Sequence, residues 1–363
     1  MPAEGLWAEA FRVQRRGGDV VAGLAGALAT CGPLALGIAL DEPQIGVTAA
    51  LGGLNGGLVT PRGPLRDRLG WGLGATLGYC ASSTAAMALQ GSVAASVAAA
   101  FVVVALTAYM RTFGFTGGLT GFVIGAMFVI LSGVPAGSLD LGERVLWFAL
   151  GALVGVVLMV TALARNAPPP SPDARPLMTV LGEGVQQYIR ALAEDRELRG
   201  HALRLASIVA VTTLLYRLLD LQHGYWVPLT VLAVLQPEEH ASRVRALQRA
   251  AGTLVATAAI ALFALASSSQ WLIVAAQGVA AFGLFTLHSR SYYWLVVMIT
   301  PTALLTFTAI DYQGDDLALE RAAWSALGIL VGLAIAEALW HFKGVPLPRG
   351  VDPRHESTSA RRQ

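Results

Sequence analysis

A small set of residues in this chain combines side chains that can bind an organic anion with positions in or beside apolar segments. Guanidinium, hydroxyl and amide groups can hold a carboxylate, and aromatic faces suit an aromatic ring. Ionisable residues inside apolar segments are costly in a membrane and often mark a pathway for a charged ligand. The residues predicted to contact such a ligand are Arg217, Tyr225, Trp226, Thr230, Asn55, Arg144 and Arg321.

Arg144 and Arg321 each follow a glutamate at the start of an apolar segment, and this recurrence favours a shared role. One interpretation is that they give an anion a positively charged exit. The alternative is that each pairs with the glutamate before it, Glu143 or Glu320. The first interpretation predicts a salt-sensitive loss of anion flux in Arg→Gln variants, whereas the second predicts lower thermal stability.

Two acidic residues are candidates for coupling anion movement to protons. Glu337 lies near the inner end of the last apolar segment, where the alternative is that its side chain reaches the membrane surface. Asp220 follows Arg217 by three residues, a spacing at which the two side chains could instead pair on one helix face.

Motifs for soluble chemistry are missing from the sequence. Its single lysine, Lys343, precedes Gly344, so there is no Walker A motif and we expect no ATP hydrolysis. Cys31 and Cys80 lie in apolar segments without CxxC spacing, and none of the six histidines belongs to an HExxH motif. We therefore expect no catalytic residue, no metal and no cofactor, and we do not expect an enzyme.

The composition predicts a polytopic membrane protein. Hydrophobic residues make up 55% of the chain and charged residues 13%, and the mean hydropathy is +0.60. Twelve apolar segments approach the length that crosses a bilayer, the eighth being short. They cover 20–40, 43–60, 70–89, 92–110, 115–133, 143–164, 203–219, 225–236, 250–266, 270–288, 291–309 and 318–341.

The distribution of charge predicts how these segments cross the membrane. Most of the 25 lysine and arginine residues fall in loops of one side, and the loops of the other side are acidic. Because short cytoplasmic loops are enriched in basic residues, both termini are predicted to be cytoplasmic. The net charge of +2 then reflects membrane topology, and we expect no nucleic acid as a partner. The predicted location is the plasma membrane.

Landmark residues recur in the two halves of the chain and predict an internal repeat. Arg68 corresponds to Arg249 and Arg111 to Arg290. The segment 142–155, GERVLWFALGALVG, likewise resembles 319–332, LERAAWSALGILVG. Each half has an even number of predicted segments, so the fold class is all-α, with twelve transmembrane helices as two parallel six-helix repeats. The predicted units are 1–165 and 201–342 as repeats, 166–200 as a cytoplasmic linker with an amphipathic helix, and 343–363 as a disordered tail.

Glycines recur at every fourth position and predict close packing between helices. Gly70, Gly74 and Gly78 form one such series. The run LGGLNGGL at 51–58 has two interpretations, since its glycine pairs could pack against a neighbouring helix or break the helix beside a cavity.

The stretch 223–253 resembles the signature of the fusaric acid resistance protein-like family, which includes aromatic acid exporters. The residues that carry the resemblance are Tyr225, Trp226, Thr230, Pro237, Arg249, Gly252 and Thr253, with Arg204 and Arg321 also fitting the pattern. The first half departs from the signature, with Ile45-Gly46 where Tyr-Trp is expected. The resemblance implies proton-driven export of small organic anions, often aromatic carboxylates, across a lipid bilayer. A homo-oligomer or an accessory efflux subunit is an open possibility as partner.

Two alternatives accompany this interpretation. The stretch GPLRDRLGW at 63–71 is similar to a loop of major facilitator transporters, although the expected trailing basic pair is missing. A passive organic-anion channel would share the fold and differ in mechanism. Uphill flux that depends on a proton gradient would separate a carrier from a channel.

Overall fold

The computed structural model describes most of the chain up to residue 308 and a short segment near the C-terminal end. The described residues are 3–11, 19–134, 139–166, 177–221, 223–266, 269–288, 290–308, 323–324, 326–331 and 334. Their regular secondary structure is entirely helical. The α-helices are α1 (Ala3–Ala10), α2 (Val20–Ala39), α3 (Pro43–Val59), α4 (Leu65–Ala88), α5 (Val93–Ala108), α6 (Gly114–Gly133), α7 (Leu141–Leu163), α8 (Leu177–Glu194), α9 (Arg196–Leu218), α10 (Trp226–Val234), α11 (Glu239–Ala266), α12 (Gln270–Leu287) and α13 (Tyr292–Thr308).

The helices identify a multi-pass membrane protein. Six helical stretches in the described part are long and apolar enough to cross a bilayer. They are Val20–Ala39, Val93–Gly133, Leu141–Leu163, Arg196–Leu218, Glu239–Phe263 and Gln270–Leu287. These stretches cover the predicted segments one, four with five, six, seven, nine and ten. The full set of twelve crossings stays a prediction, and α10, with 9 residues, is too short to cross alone.

The long stretch Val93–Gly133 contains two helices rather than one. A 3₁₀ turn, Tyr109–Phe113, ends α5, and Gly114 then takes a φ of 73° that favours glycine. Helices α5 and α6 pack against each other on either side of this turn. The chain therefore folds back at Gly114, as expected for two separate segments.

Close contact of α3 with α2 and α7 explains the glycines of the LGGLNGGL run. A Cβ atom on Gly53 would lie 1.9 Å from the carbonyl oxygen of Ala29, and one on Gly151 would lie 2.0 Å from that of Ala49. Only glycine permits such backbone approach. Helix α3 is continuous through the run. Of the two interpretations of this segment, the structure supports packing.

The other glycine series behaves differently. A Cβ atom on Gly78 would lie 2.6 Å from the side chain of Ile124 in α6. In contrast, Gly70 and Gly74 have nothing within 4 Å of that position. The prediction of close packing for the whole series is therefore wrong at these two residues.

Helices of the first and second halves of the chain pack in two main pairs, α2 with α12 and α5 with α9. Within the halves, α3 packs on α7, α4 on α6, and α11 and α12 on α13. One apolar core runs across the halves and contains Val104, Tyr216, Trp226 and Leu304.

The connections that carry the basic residues lie at one end of this bundle, called here the basic face, and polar contacts hold them there. Asp19 lies 3.5 Å from Arg62, and Arg111 is hydrogen-bonded to Gln236. On the same face α1 contacts α11, where the Gln248 side chain donates to the carbonyl of Ala10 at 2.7 Å.

The predicted amphipathic helix is α8, and Asp195 separates it from α9. The Asp195 carboxylate accepts a hydrogen bond from the Leu198 N–H at 2.8 Å, which caps α9 and sets its first turn. Because of this cap α9 begins at Arg196, before the predicted start of the seventh segment at residue 203.

Candidate functional site

A cavity of about 530 Å³ lies between the two halves of the chain, next to the basic face. Helices α5 and α6 contribute one side of it, and α9, the end of α10 and the α12–α13 connection contribute the other. The polar residues that line it include Thr107, Arg111, His201, Gln236, Arg245, His288, Arg290, Ser291 and Tyr292. This volume falls in the range typical of small-molecule sites.

The cavity is electropositive. Arg111, Arg245 and Arg290 line it, and no aspartate or glutamate is among the described residues of its wall. Grouped guanidinium groups in a recess raise the local concentration of anions. Apolar and aromatic side chains, including Phe115 and Phe122, complete the wall. The recess therefore offers both charge and apolar surface to a small organic anion.

Neighbouring groups hold two of the three guanidinium groups in place. Arg111 donates a hydrogen bond to the Gln236 side chain, and the Gln236 N–H donates to the Ser242 hydroxyl at 2.9 Å. Arg245 lies 4.1 Å from the centre of the Tyr292 ring, in a cation–π contact. A guanidinium group has five N–H donors, and these contacts do not use all of them.

Two other lining residues have polar atoms without partners. His201 is 1% exposed, and neither ring nitrogen has a hydrogen-bond partner among the described residues. The Nε atom of Arg290 is likewise buried and unpartnered there. Buried polar groups are normally hydrogen-bonded, so atoms such as these mark where a ligand or water is expected.

Sequence reasoning missed most of this cavity. It identified Arg111 and Arg290 only as repeat landmarks, and it did not select His201, Gln236 or Arg245. The available signal was the recurrence of an arginine at the same connection in both halves.

The aromatic residues of the family signature lie elsewhere. Tyr225 and Trp226 begin α10 at the end away from the basic face, and they are 4% and 1% exposed. Tyr225 packs against Gly133, where an added Cβ would lie 2.5 Å from the ring. Thr230 is fully buried next to Gly328. These residues belong to the core rather than to the wall of the cavity. The part of α10 that lines the cavity begins further along the helix, at Leu232.

Arg217 joins three connections at the face opposite the basic one. Its guanidinium donates to the carbonyl oxygens of Ser132, at 3.0 Å, and of Gln90. The Gln90 side chain donates in turn to the carbonyl oxygens of Leu131 and Val134. A cation at the free carbonyls of helix ends is electrostatically favourable. We call this arrangement the Arg217 clamp, and it ties α9 of the second half to α4 and α6 of the first.

Arg217→Ala is expected to lower thermal stability, because it leaves partly buried carbonyl oxygens without their charged donor at a cost of about 2 kcal/mol. Melting in detergent measures the effect, with Leu218→Ala, at an exposed position on the same turn, as control. A direct ligand contact predicts the reverse pattern, in which anion flux is lost at an unchanged melting temperature. That result would reject the clamp.

The remaining predicted residues are dispersed. The Asn55 side chain donates to the carbonyl of Leu51 at 2.7 Å and lies 3.3 Å from the sulfur of Met127. Asp220 follows the end of α9 in a left-handed conformation with φ 49°. Arg321 and Glu337 lie outside the described residues.

Glu143 and Arg144 make different contacts at the start of α7. Glu143 forms a capping box with Asp140, in which each side chain accepts a hydrogen bond from the other residue's N–H. Arg144 reaches the sulfur of Met87 at 3.8 Å. The Glu143 carboxylate thus stabilises the helix end, which differs from the predicted ion-pair alternative.

The other signature residues pack the second half. Arg249 and Thr253 are 4% and 3% exposed, and Gly252 lies where a Cβ would be 2.8 Å from Val296. Pro237 lies in the connection between α10 and α11, and Arg204 lies on α9. The first half has a similarly buried arginine at the position that corresponds to Arg249. There Arg68, 2% exposed, donates to the carbonyl of Val160 at 2.6 Å.

Comparison with known proteins identifies relatives of part of the chain. The inner membrane protein YccS of Escherichia coli is 27% identical over 163 residues, which are 43% of this chain and 22% of YccS. The uncharacterized protein YhfK of the same organism is 28% identical over 143 residues, 39% of this chain and 20% of YhfK. An uncharacterized protein of Haemophilus influenzae is 25% identical over 140 residues, 39% of this chain and 20% of its own length.

The chain thus spans about a fifth of the length of these relatives. No solved structure matches it. The model of a family described as fusaric acid resistance protein-like matches residues 209–335, which include the whole of 223–253, the last part of α9 and all of α10 to α13. The resemblance in residues 223–253 is therefore confirmed, and the second half of the chain is similar to the fusaric acid resistance protein-like family.

Proposed function

We propose that this membrane protein exports small organic anions, in particular aromatic carboxylic acids, by a proton-coupled secondary mechanism. The observation that carries the proposal is the electropositive cavity between the halves. It presents Arg111, Arg245 and Arg290 without an acidic residue among the described parts of its wall. Three guanidinium groups in one recess repel one another, and a bound anion would offset their charge together with Glu238, which lies near Arg111 outside the wall.

The wall of the cavity suits an aromatic acid in particular. Arginine can bind a carboxylate through two parallel hydrogen bonds. Phe115 and Phe122 offer faces for a ring, and the Tyr292 ring already stacks on Arg245. The sequence predicted ligand contacts at Tyr225 and Trp226. This proposal assigns the ligand contacts to residues nearer the basic face instead.

The proposed architecture is a pair of parallel repeats related by an axis near the membrane normal. In that arrangement α2 corresponds to α9 and α5 to α12. The cross-half pairs α2–α12 and α5–α9 are then counterparts, which supports the proposal. Arg111 and Arg290 are counterparts too, and both line the cavity. A site between repeats is usual in secondary transporters.

The orientation that we propose places the basic face and both termini in the cytoplasm, in a bacterial inner membrane. It follows the enrichment of cytoplasmic loops in arginine and lysine. YccS, whose name places it in the inner membrane, supports this location. The cavity would then receive its anion from the cytoplasm.

A carrier is favoured over a passive channel by the Arg217 clamp. The cavity lies beside the basic face, whereas the clamp joins the two halves at the opposite face. In a carrier with alternating access, one state has a recess open near one side of the membrane while contacts between the two halves close the other side. Asp220 and Glu337 remain the candidates for proton coupling. Neither catalysis nor a cofactor forms part of the proposal, and a homo-oligomer or accessory subunit remains open.

Flux in proteoliposomes tests the proposal. Purified protein is reconstituted, and the movement of benzoate-type acids and of aliphatic acids is followed with and without an imposed pH gradient. We expect faster flux of aromatic acids and accumulation against a concentration gradient when the pH gradient is present. Flux that only dissipates the anion gradient would support the channel. No flux of any acid above empty liposomes would reject anion transport.

A further inference from the structure

Helix α8 presents an apolar flank that no described part of the protein covers. Leu181, Val185 and Ile189 are 52%, 58% and 57% exposed. Since these residues are four apart, they form one stripe along the helix. Apolar stripes of this kind usually face a partner or a lipid. The three residues are called here the α8 flank.

The other side of α8 is fixed to the first half of the chain. The Tyr188 hydroxyl donates to the carbonyl oxygen of Leu106 at 2.8 Å, and the Gln187 side chain donates to that of Thr112, also at 2.8 Å. The Tyr188 ring also stacks on Phe113, with centroids 6.4 Å apart. These contacts define how the helix is rotated about its own axis.

That rotation determines which way the α8 flank points. Leu106 belongs to α5, whereas Thr112 lies beyond the end of α5 in the 3₁₀ turn, about 9 Å further towards the basic face. Gln187 therefore marks the outward side of α8 and Tyr188 the membrane side. Each residue turns the helix by about 100°, so Ile189 continues the rotation from Gln187 through Tyr188 towards the bilayer.

The surface next to Tyr188 is itself exposed and apolar. Val102 and Leu106 of α5 are 52% and 47% exposed on a helix that crosses the membrane. Such residues face lipid. The α8 flank is thus an extension of the lipid-facing surface of α5. Glu183, Gln186 and Arg190 lie on the opposite side of α8, as in helices that lie in a membrane surface.

We propose that the α8 flank lies in the boundary between headgroups and acyl chains of the bilayer that the protein spans, on its basic face. Helix α8 then rests on the membrane surface before the chain enters α9. The inference concerns a lipid contact surface and does not depend on the transport function.

Spin labels at single cysteines test this position. In a background with Cys31 and Cys80 replaced by alanine, labels are placed on the flank by Val185→Cys and Ile189→Cys, and on the polar side by Gln186→Cys and Arg190→Cys. Collision with oxygen, which concentrates in lipid, is compared with collision with a water-soluble nickel complex in lipid nanodiscs. Leu181→Cys and Thr179→Cys form a second pair if a variant fails to fold.

We expect oxygen collisions to dominate at the flank and nickel collisions to dominate at the polar side. Dominant nickel collisions at both flank positions would overturn the proposal, because the flank would then face water. Low collision with both reagents, together with spin–spin broadening between labels, would also overturn it and assign the flank to a second copy of the chain.

Discussion

Arg290→Gln is expected to reduce anion flux at least about tenfold while the protein remains folded. The substitution removes a charged donor whose Nε atom is buried at the cavity and has no partner among the described residues. A hydrogen bond to a charged group contributes about 1.5–3 kcal/mol. Since about 1.4 kcal/mol corresponds to a factor of ten, the loss falls between about tenfold and a hundredfold. Initial rates in proteoliposomes at matched protein density measure it.

Arg243→Gln is the matched control. Arg243 lies on α11 near Arg245, but it pairs with Glu239 at 2.5 Å, its side chain is 45% exposed, and it does not line the cavity. Both variants change the net charge equally, so a general effect of charge on the basic face would slow them alike. Equal flux in the two variants would show that the cavity arginine has no specific role.

Gly53→Ala has the largest expected effect on stability. The new methyl group would lie 1.9 Å from the carbonyl oxygen of Ala29, so α2 and α3 would have to separate. Overpacking in a close-packed interior costs about 1–3 kcal/mol. Because backbone lies on both sides, rotation of a side chain cannot relieve the clash. Thermal melting in detergent is expected to shift downwards, with part of the protein lost as aggregate.

Gly74→Ala is the comparison that separates the effect of packing on stability from the effect of helix propensity. Gly74 is helical in α4, and nothing lies within 4 Å of its Cβ position. Alanine is favoured over glycine inside a helix by about 0.5–1 kcal/mol, so this variant should melt at the same temperature as the parent or slightly higher. If Gly53→Ala melted at the same temperature as Gly74→Ala, the close approach of α3 to α2 would be contradicted.

Glycine spacing illustrates what the sequence can predict and what it cannot. A four-residue period places Gly70, Gly74 and Gly78 along one side of a helix, and it was sufficient to predict close packing. The period does not say whether that side meets a neighbour. Gly78 does, and Gly74 does not. The answer depends on where along α4 the neighbouring helix α6 comes close, and the packing of the bundle sets that position.

The cavity was harder to predict than the helices for the same reason. Apolar length predicted the six stretches that are long and apolar enough to cross a bilayer, and the signature at 223–253 predicted the family whose model matches residues 209–335. Arg217 and Trp226 have the residue types expected of a ligand site, yet one bonds to helix-end carbonyls and the other lies in the core. His201 is at the cavity although no motif includes it. Tertiary contacts between distant helices decide these roles.

The shortness of α10 has an electrical consequence. Its 9 residues extend about 13 Å, less than half of a hydrocarbon core of about 30 Å, and the next residues, Leu235 and Gln236, line the cavity. In the proposed transporter the recess opens to cytoplasmic water, which conducts ions, so the transmembrane voltage would fall mainly between the recess and the opposite face. Moving one elementary charge through 100 mV changes its free energy by about 2.3 kcal/mol. An anion would therefore enter the cavity almost independently of voltage, and the later passage from the cavity to the opposite face would be the electrogenic step.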